Sequence, residues 1–320
     1  MKDKIIEKII GKSGVSNLLD ILSQDLSPSE WQSLLLAVAA RRAARLSPSQ
    51  VFEQYQSSRF VHPVRGLSKD QFQVFEQWAQ AQLPADFESI ILSPVAPFAT
   101  CSSVATVHQN KVLSAHRNLE VVADATNVLA MEASLRRKAL LAAKPKSQQQ
   151  IHLATSHRHL RAQALAMEGF TAHFQIQCMV SAGRDEGNWL FEKAVLKQHL
   201  AYYLRLLSTG PFSVEETSLE IAITILSPSF LAIYEEVVTA LAKTYPNVKI
   251  RLAPERETGR SYYKVCCFYI YAHLENGQSI PFCDGGFTDW TQQFLASRKE
   301  RLLSSGFGLE LWLRLVQGAS

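Results

Sequence analysis

The residues best equipped for chemistry lie between Ile151 and Ser181. Counted in twos, as a strand presents its side chains, Thr155, His157, His159 and Arg161 share one face of the first half. In the second half His173, Gln175, Gln177 and Met179 share one face, and Phe174, Ile176, Cys178 and Val180 share the other. The apolar face is expected to be core, and the amide face to line something polar. A guanidinium beside imidazoles and two amides suits an anion and a ligand rich in hydrogen-bonding groups, because guanidinium pairs bidentately and amides both donate and accept. Gly285-Gly286 leaves bare backbone where a ligand or a tight turn comes close.

Elements able to position these groups are legible along the chain. Ser27-Pro28-Ser29-Glu30 and Ser47-Pro48-Ser49-Gln50 each place Ser at an N-cap, Pro at the first helical position and Glu or Gln three residues after the Ser. They open short helices within an N-terminal helical region, residues 1–64, which His62-Pro63 closes. Arg41, Arg42 and Arg45 end the first of these helices, where the helix dipole favours cations, with contact to RNA or a partner as the alternative. Ser68 to Gln82 predicts a helix feeding the apolar strand Phe87 to Pro94. Short strands follow at Lys111 to Ser114 and Glu120 to Ala123. Asp124-Ala125-Thr126 then stands at the start of a helix over Val128 to Lys138, as a cap residue does. After the hairpin come a helix over Phe191 to Leu207 and a β-α-β passage through Leu252. A strand over Tyr262 to His273, a turn at Cys283 to Asp289, and Gly306-Phe307-Gly308 leading into a last helix complete the chain.

Composition bounds the class of protein. The 320 residues, 47% of them hydrophobic, suffice for one large or two modest domains with a proper core. A net charge of +4 is too small to mark a nucleic-acid binder. The N-terminal MKDKIIEKIIGK mixes charges among its Ile residues, so it lacks the apolar core of a signal peptide, and no run is long and apolar enough to span a membrane. A soluble, cytoplasmic protein is expected. Five cysteines with no CxxC pair fit neither a disulfide framework nor a zinc site, and no metal ligand set is expected.

Seven of these segments, in this order over roughly residues 66–317, resemble the class II aminoacyl-tRNA synthetase core, closest to the histidyl-tRNA synthetases and their paralogue, the ATP phosphoribosyltransferase regulatory subunit. The helix and strand ending at Pro94 are similar to motif 1, Arg161 and its hairpin to motif 2, and Gly306 to Arg314 to motif 3. Tyr262-Tyr263 resemble the paired tyrosines of the histidyl signature, whose arginine falls on Thr258. The resemblance implies an α+β fold, a mixed and mainly antiparallel sheet flanked by helices over residues 65–320, without an anticodon-binding domain. It implies a homodimer through the motif 1-like segment, and ATP with Mg as cofactor. Arg161 is then the catalytic group at the α-phosphate. Asp124 and Thr126 receive an ammonium, Gln175 contacts the amino acid, and Gln177, Tyr263, Gly285, Gly286, Gly306 and Gly308 complete the ligand site. Departures from the family accumulate where charge is needed. The Arg-x-Glu of motif 2 reads Arg161-Ala162-Gln163, the imidazole-reading glutamate is Met179, and arginine positions hold Thr258, Phe287 and Leu313. Removing single donors of this kind costs ~3 kcal/mol of transition-state stabilisation each. The expected function is a paralogue that binds a small amino-acid-like or nucleotide ligand without catalysis, similar to the regulatory subunit of histidine biosynthesis and with a protein partner. The alternative is an ATP-dependent adenylate-forming ligase for an amino acid or other small carboxylic acid. tRNA charging is not expected.

Overall fold

The computed structural model describes residues 2–58, 60–64, 66–104, 107–163, 171–274 and 277–317. The N-terminal region is helical: α1 (Lys2–Ser13), α2 (Leu18–Asp20) running into a π-turn at Ile21–Asp25, α3 (Pro28–Ala43) and α4 (Pro48–Ser57). Ser27 and Ser47 both form full capping boxes, each hydroxyl accepting from the backbone N–H three residues on while Glu30 or Gln50 reaches back. None of α2, α3 or α4 buries a residue, and Leu34, Val38, Val51 and Phe52 stay exposed. Local capping and propensity, rather than core burial, therefore define these helices. Asn118 Nδ2 donates to the Pro28 carbonyl, and an imidazole nitrogen of His173 lies 2.7 Å from the His62 carbonyl.

Helix α5 (Lys69–Ala81) leads to β1 (Glu88–Ser89), β2 (Val95–Pro97), α6 (Thr100–Val104), β3 (Ser114–Ala115) and β4 (Leu119–Val121). The apolar strand predicted over Phe87 to Pro94 shrinks to the two residues of β1. Ile90 donates one further bond to Ala154, and Pro94, which has no N–H, turns the chain into a separate three-stranded sheet. The strand predicted at Lys111 to Ser114 is a 3₁₀ turn at Gln109–Lys111 followed by β3. Glu120, fully buried, holds this small sheet by accepting from the backbones of Ala99 and Cys101 and from Gln109.

The rest of the chain builds the main sheet: α7 (Ala125–Ala143), β5 (Ile151–Leu160), β6 (His173–Arg184), α8 (Leu190–Ser208), β7 (Leu219–Ile225), α9 (Leu231–Thr244), β8 (Lys249–Leu252), β9 (Tyr263–His273), β10 (Ser279–Thr288), α10 (Trp290–Phe294), β11 (Glu300–Gly308) and α11 (Leu309–Gln317). Among the described residues the strand order is β1-β5-β6-β11-β10-β9-β7-β8. Only the two edge pairs, β1 with β5 and β7 with β8, are parallel. The fold is α+β, as expected. Gly285 and Gly286 were expected in a turn, but they lie inside β10, paired with Phe268 and Cys267 of β9. Bulges flank them, between Pro281 and Cys283 and between Gly286 and Thr288. The tip of the β5–β6 hairpin, 164–170, where the sequence carries no Lys or Arg, lies outside the described residues.

One sheet face packs Met179, Phe268, Leu303 and Phe307 against α5, α8, α9 and α11. The other packs Leu153, Val180 and Leu302 against α7 and Trp290. A buried ion pair ties the second layer together. Arg137 on α7 meets both oxygens of Glu300 at 2.9 and 3.0 Å, both side chains fully buried, and its remaining N–H groups donate to the Ser147 and Gln149 carbonyls. Under the first layer runs a chain of hydrogen bonds: His152 Nδ1 to Ser181 Oγ at 2.8 Å, Ser181 to His199 Nε2 at 2.9 Å, His199 Nδ1 to Ser305 Oγ at 2.8 Å and Ser305 to Tyr203 at 2.9 Å.

Candidate functional site

On the α7 side of the sheet the antiparallel register places Asp284, Gly306 and Cys178 side by side, with Gly308 next to Ile176 and Gly286 next to Ser304. Directly paired residues project to the same face. Gly306 and Gly308 carry no side chain, so the sheet lies bare there and a cavity of about 320 Å³ opens above it. A Cβ added at Gly306 would come 3.2 Å from Ile176 and would otherwise enter the open space.

The start of α7 forms one wall. Asp124 caps the helix, its Oδ1 accepting from the Thr126 N–H at 3.0 Å and from the Thr126 hydroxyl at 2.7 Å. Its Oδ2 lies 3.6 Å from the Arg161 guanidinium. Arg161 is held by donation from Nε to the Ala123 carbonyl and lies over the Phe174 ring. Asp124, Thr126 and Arg161 all line the cavity. The cap thus spends one carboxylate oxygen on the helix and leaves the other beside a guanidinium.

The opposite wall is aromatic and acidic. Tyr262 and Tyr263 lie 4.3 Å apart between ring centroids, and Tyr262 stacks on Trp290. Asp284 accepts from the Arg256 guanidinium at 2.9 Å and from the Tyr263 hydroxyl at 3.3 Å. Burial pushes the Asp284 carboxyl above its usual range, against the opposing pull of Arg256 and Tyr263, although its side chain stays open to the cavity. Arg256 itself is buried, stacked 3.7 Å over the Tyr269 ring, with Nη1 unpartnered among the described residues. At the far end, where β11 becomes α11, Glu310 pairs with Arg158. Its side chain is 3% exposed, it lines the cavity, and its Oε2 has no partner among the described residues.

The two polar sets of the hairpin separate. His157 and His159 pair with Ile176 and Phe174 on the cavity side, whereas Gln175 and Gln177 pair with Arg158 and Ser156 on the α5 side. The face carrying Phe174, Ile176, Cys178 and Val180 packs Cys178 and Val180 into the α7-side core, as expected, while Phe174, Ile176 and Cys178 also line the cavity, where Gly306 and Gly308 beside them supply the room. His159 is structural. Its Nε2 accepts from the Ala125 N–H at 2.7 Å, and burial holds its pKa well below the usual range. Gln175 still reaches the cavity beside Glu310, bonded to Ser156. Gln177 is buried, is not among the residues lining the cavity and has its Nε2 without a partner among the described residues.

Of the other expected site residues, Tyr263, Gly306 and Gly308 line the cavity. Gly285 and Gly286 act on packing: a Cβ at Gly285 would meet Phe268 at 2.5 Å, and one at Gly286 would meet the Tyr263 ring at 2.5 Å. Gly286 is what lets Tyr263 lie against the strand. Phe287 and Leu313 are buried in the hydrophobic core, and the Thr258 hydroxyl pairs with Tyr269 at 2.9 Å. Asp284 and Glu310 were not singled out from the sequence. Each lies two positions from a glycine of the sheet, Gly286 and Gly308, a spacing too common to mark a site by itself.

No helix among the described residues is long and apolar enough to cross a membrane. No protein-family model and no curated protein matches the chain. Solved structures do. An ATP phosphoribosyltransferase regulatory subunit/histidyl-tRNA synthetase from Bacillus halodurans superposes with a TM-score of 0.56 and 15% identity, over 80% of this chain and 82% of that one. Apo S. aureus histidyl-tRNA synthetase gives 0.59 and 13% over 80% and 70%. A histidine–tRNA ligase subunit from Alicyclobacillus acidocaldarius gives 0.55 and 10% over 81% and 98%. At these identities the likeness speaks for the fold, and this chain has a class II aminoacyl-tRNA synthetase-like core.

Proposed function

We propose that this protein binds a small amino-acid-like ligand in the α7-side cavity and performs no synthetase chemistry. The observation that carries the reading is the meeting of Asp124, Thr126 and Arg161 at one wall. A carboxylate and a hydroxyl oxygen accept from an ammonium, and the guanidinium beside them pairs with a carboxylate. ATP with Mg suits the lining poorly. Arg161 is the one cation among the described lining residues, against the carboxylates Asp124, Asp284 and Glu310, and the hairpin tip contributes no Lys or Arg. At about 320 Å³ the cavity is also near the lower limit of small-molecule sites, roughly 300–1,000 Å³. The Bacillus halodurans neighbour is described as an ATP phosphoribosyltransferase regulatory subunit/histidyl-tRNA synthetase, and a regulatory role with a protein partner is the first of the two corresponding readings here. A homodimer through α5 and residues 82–98 belongs to the same reading. Ile91 is wholly exposed close to Glu88, whose carboxylate bonds Arg136 on α7, and α7 also exposes Leu135.

Calorimetric titration of the common amino acids, AMP and ATP tests the proposal. Binding of at least one amino acid is expected, weakened by Asp124→Asn and by Arg161→Met, with ATP bound far more weakly. ATP binding without any amino-acid binding would refute it. One observation favours an adenylate-forming ligase instead: the buried Arg256, bonded to Asp284, has an N–H group with no partner among the described residues. Amino-acid-dependent pyrophosphate exchange, lost in Arg256→Met, would establish that second reading.

A further inference from the structure

Three carboxylates, Asp124, Asp284 and Glu310, line the cavity, and Arg161 is the one cationic side chain among its described lining residues. Asp284 uses Oδ1 for both Arg256 and Tyr263. Glu310 uses Oε1 for Arg158 and leaves Oε2 buried with no partner among the described residues. A buried acceptor left unmet is unfavourable, and the residue that carries it, Glu310, lines the cavity. Between Asp284 and Glu310 the floor is Gly306 and Gly308, with no side chain to obstruct an extended group. The aromatic wall of Tyr262, Tyr263 and Trp290 also favours a cation, which ring faces attract.

We infer that the ligand is a basic amino acid, its α-ammonium at Asp124 and Thr126, its carboxylate at Arg161, and its side-chain cation carried across Gly306 and Gly308 to Glu310. An ammonium or guanidinium has donors and no acceptor and carries the charge opposite to that of Glu310, which complements this end of the cavity. Asp284 adds negative potential along the route. The inference rests on the amino-acid reading above and sharpens it to a substrate class.

The test is calorimetric titration of the full chain with lysine, ornithine, arginine, histidine, norleucine and glutamate, repeated on Glu310→Gln and Asp124→Asn. Glu310→Gln keeps an acceptor for Arg158, and its unfolding curve checks that it folds. Lysine, ornithine or arginine should bind at least tenfold more tightly than norleucine. Glu310→Gln should erase that advantage with norleucine unchanged, and Asp124→Asn should weaken all of them. Norleucine binding as tightly as lysine, histidine binding ahead of the other three, or an advantage that survives Glu310→Gln would each overturn the inference and leave the amino-acid site standing. Absence of binding by any amino acid would overturn both.

Discussion

His199 should make this protein acid-labile, and the size of the effect follows from its surroundings. Its ring is fully buried on α8, with both nitrogens engaged by Ser181 and Ser305. Burial, with a smaller push from His152, lowers its pKa from 6.5 to about 3. Above the ordinary imidazole value both folded and unfolded chains hold it neutral. As the pH falls below that value the unfolded chain takes up a proton that the folded chain refuses until about 3, so stability present at neutral pH is progressively lost. At ~1.36 kcal/mol per pH unit, two units of acidification below the ordinary value remove roughly 2.7 kcal/mol, a large part of a typical 5–15 kcal/mol. Burial shifts His152, His157 and His159 the same way, so the wild-type slope should exceed the share of His199 alone. Urea unfolding followed by circular dichroism, at neutral pH and two units below the ordinary imidazole value, measures the slope. His199→Gln keeps donor and acceptor groups for the two serines and cannot titrate. It should be less stable than wild type at neutral pH by about 1–3 kcal/mol, with the two curves converging in acid. Equal pH slopes in wild type and variant would refute the assignment.

Arg137→Met should cost about 3–5 kcal/mol by stranding the buried Glu300, whereas adding Glu300→Leu should recover most of it; a single-variant loss below ~1 kcal/mol in urea unfolding, the usual size for exposed pairs, would contradict the burial. Gly306→Ala should weaken ligand binding at least tenfold in titration while shifting the melting temperature little, since the methyl meets only Ile176 closely. The raised Asp284 carboxyl gives the opposite pH sense to His199. Its contribution is complete below the ordinary aspartate value and is lost as pH rises through the raised one, so Asp284→Asn should remove a fall in stability over that window in pH-dependent melting.

Much of this was legible in the sequence because it is written locally. The capping boxes at Ser27 and Ser47 depend on four consecutive residues, and the order of strands and helices follows from periodicity and breakers. The class II-like order of Pro94, Asp124, Arg161, Tyr262 and Gly306 likewise foretold the core fold. What failed depends on partners distant in sequence. Cys178 and Val180 are core as expected, with Ile176 packed against them, but apolarity on one strand cannot reveal that the next strand presents glycine and leaves a cavity beside that core. Gln177 looked like a ligand group, yet its face meets the helix layer on the α5 side. Gly285-Gly286 looked like a turn, and only the crowding by Phe268 and Tyr263 explains two glycines inside a strand. Glu310 gave no isolated signal, since its importance comes from Arg158, more than 150 residues earlier.

The glycine floor limits how the site can change. Where Gly306 and Gly308 lie against a ligand, the contact surface is peptide backbone, whose position is fixed by strand pairing. Substitution there can add bulk but cannot introduce a new recognition group without filling the space it is meant to serve. Selectivity must therefore be tuned from the rim: the helix cap at Asp124, the tyrosine pair and the first residues of α11. A library aimed at a new ligand should diversify Thr126, Tyr262, Glu310 and Leu311 and leave the floor untouched.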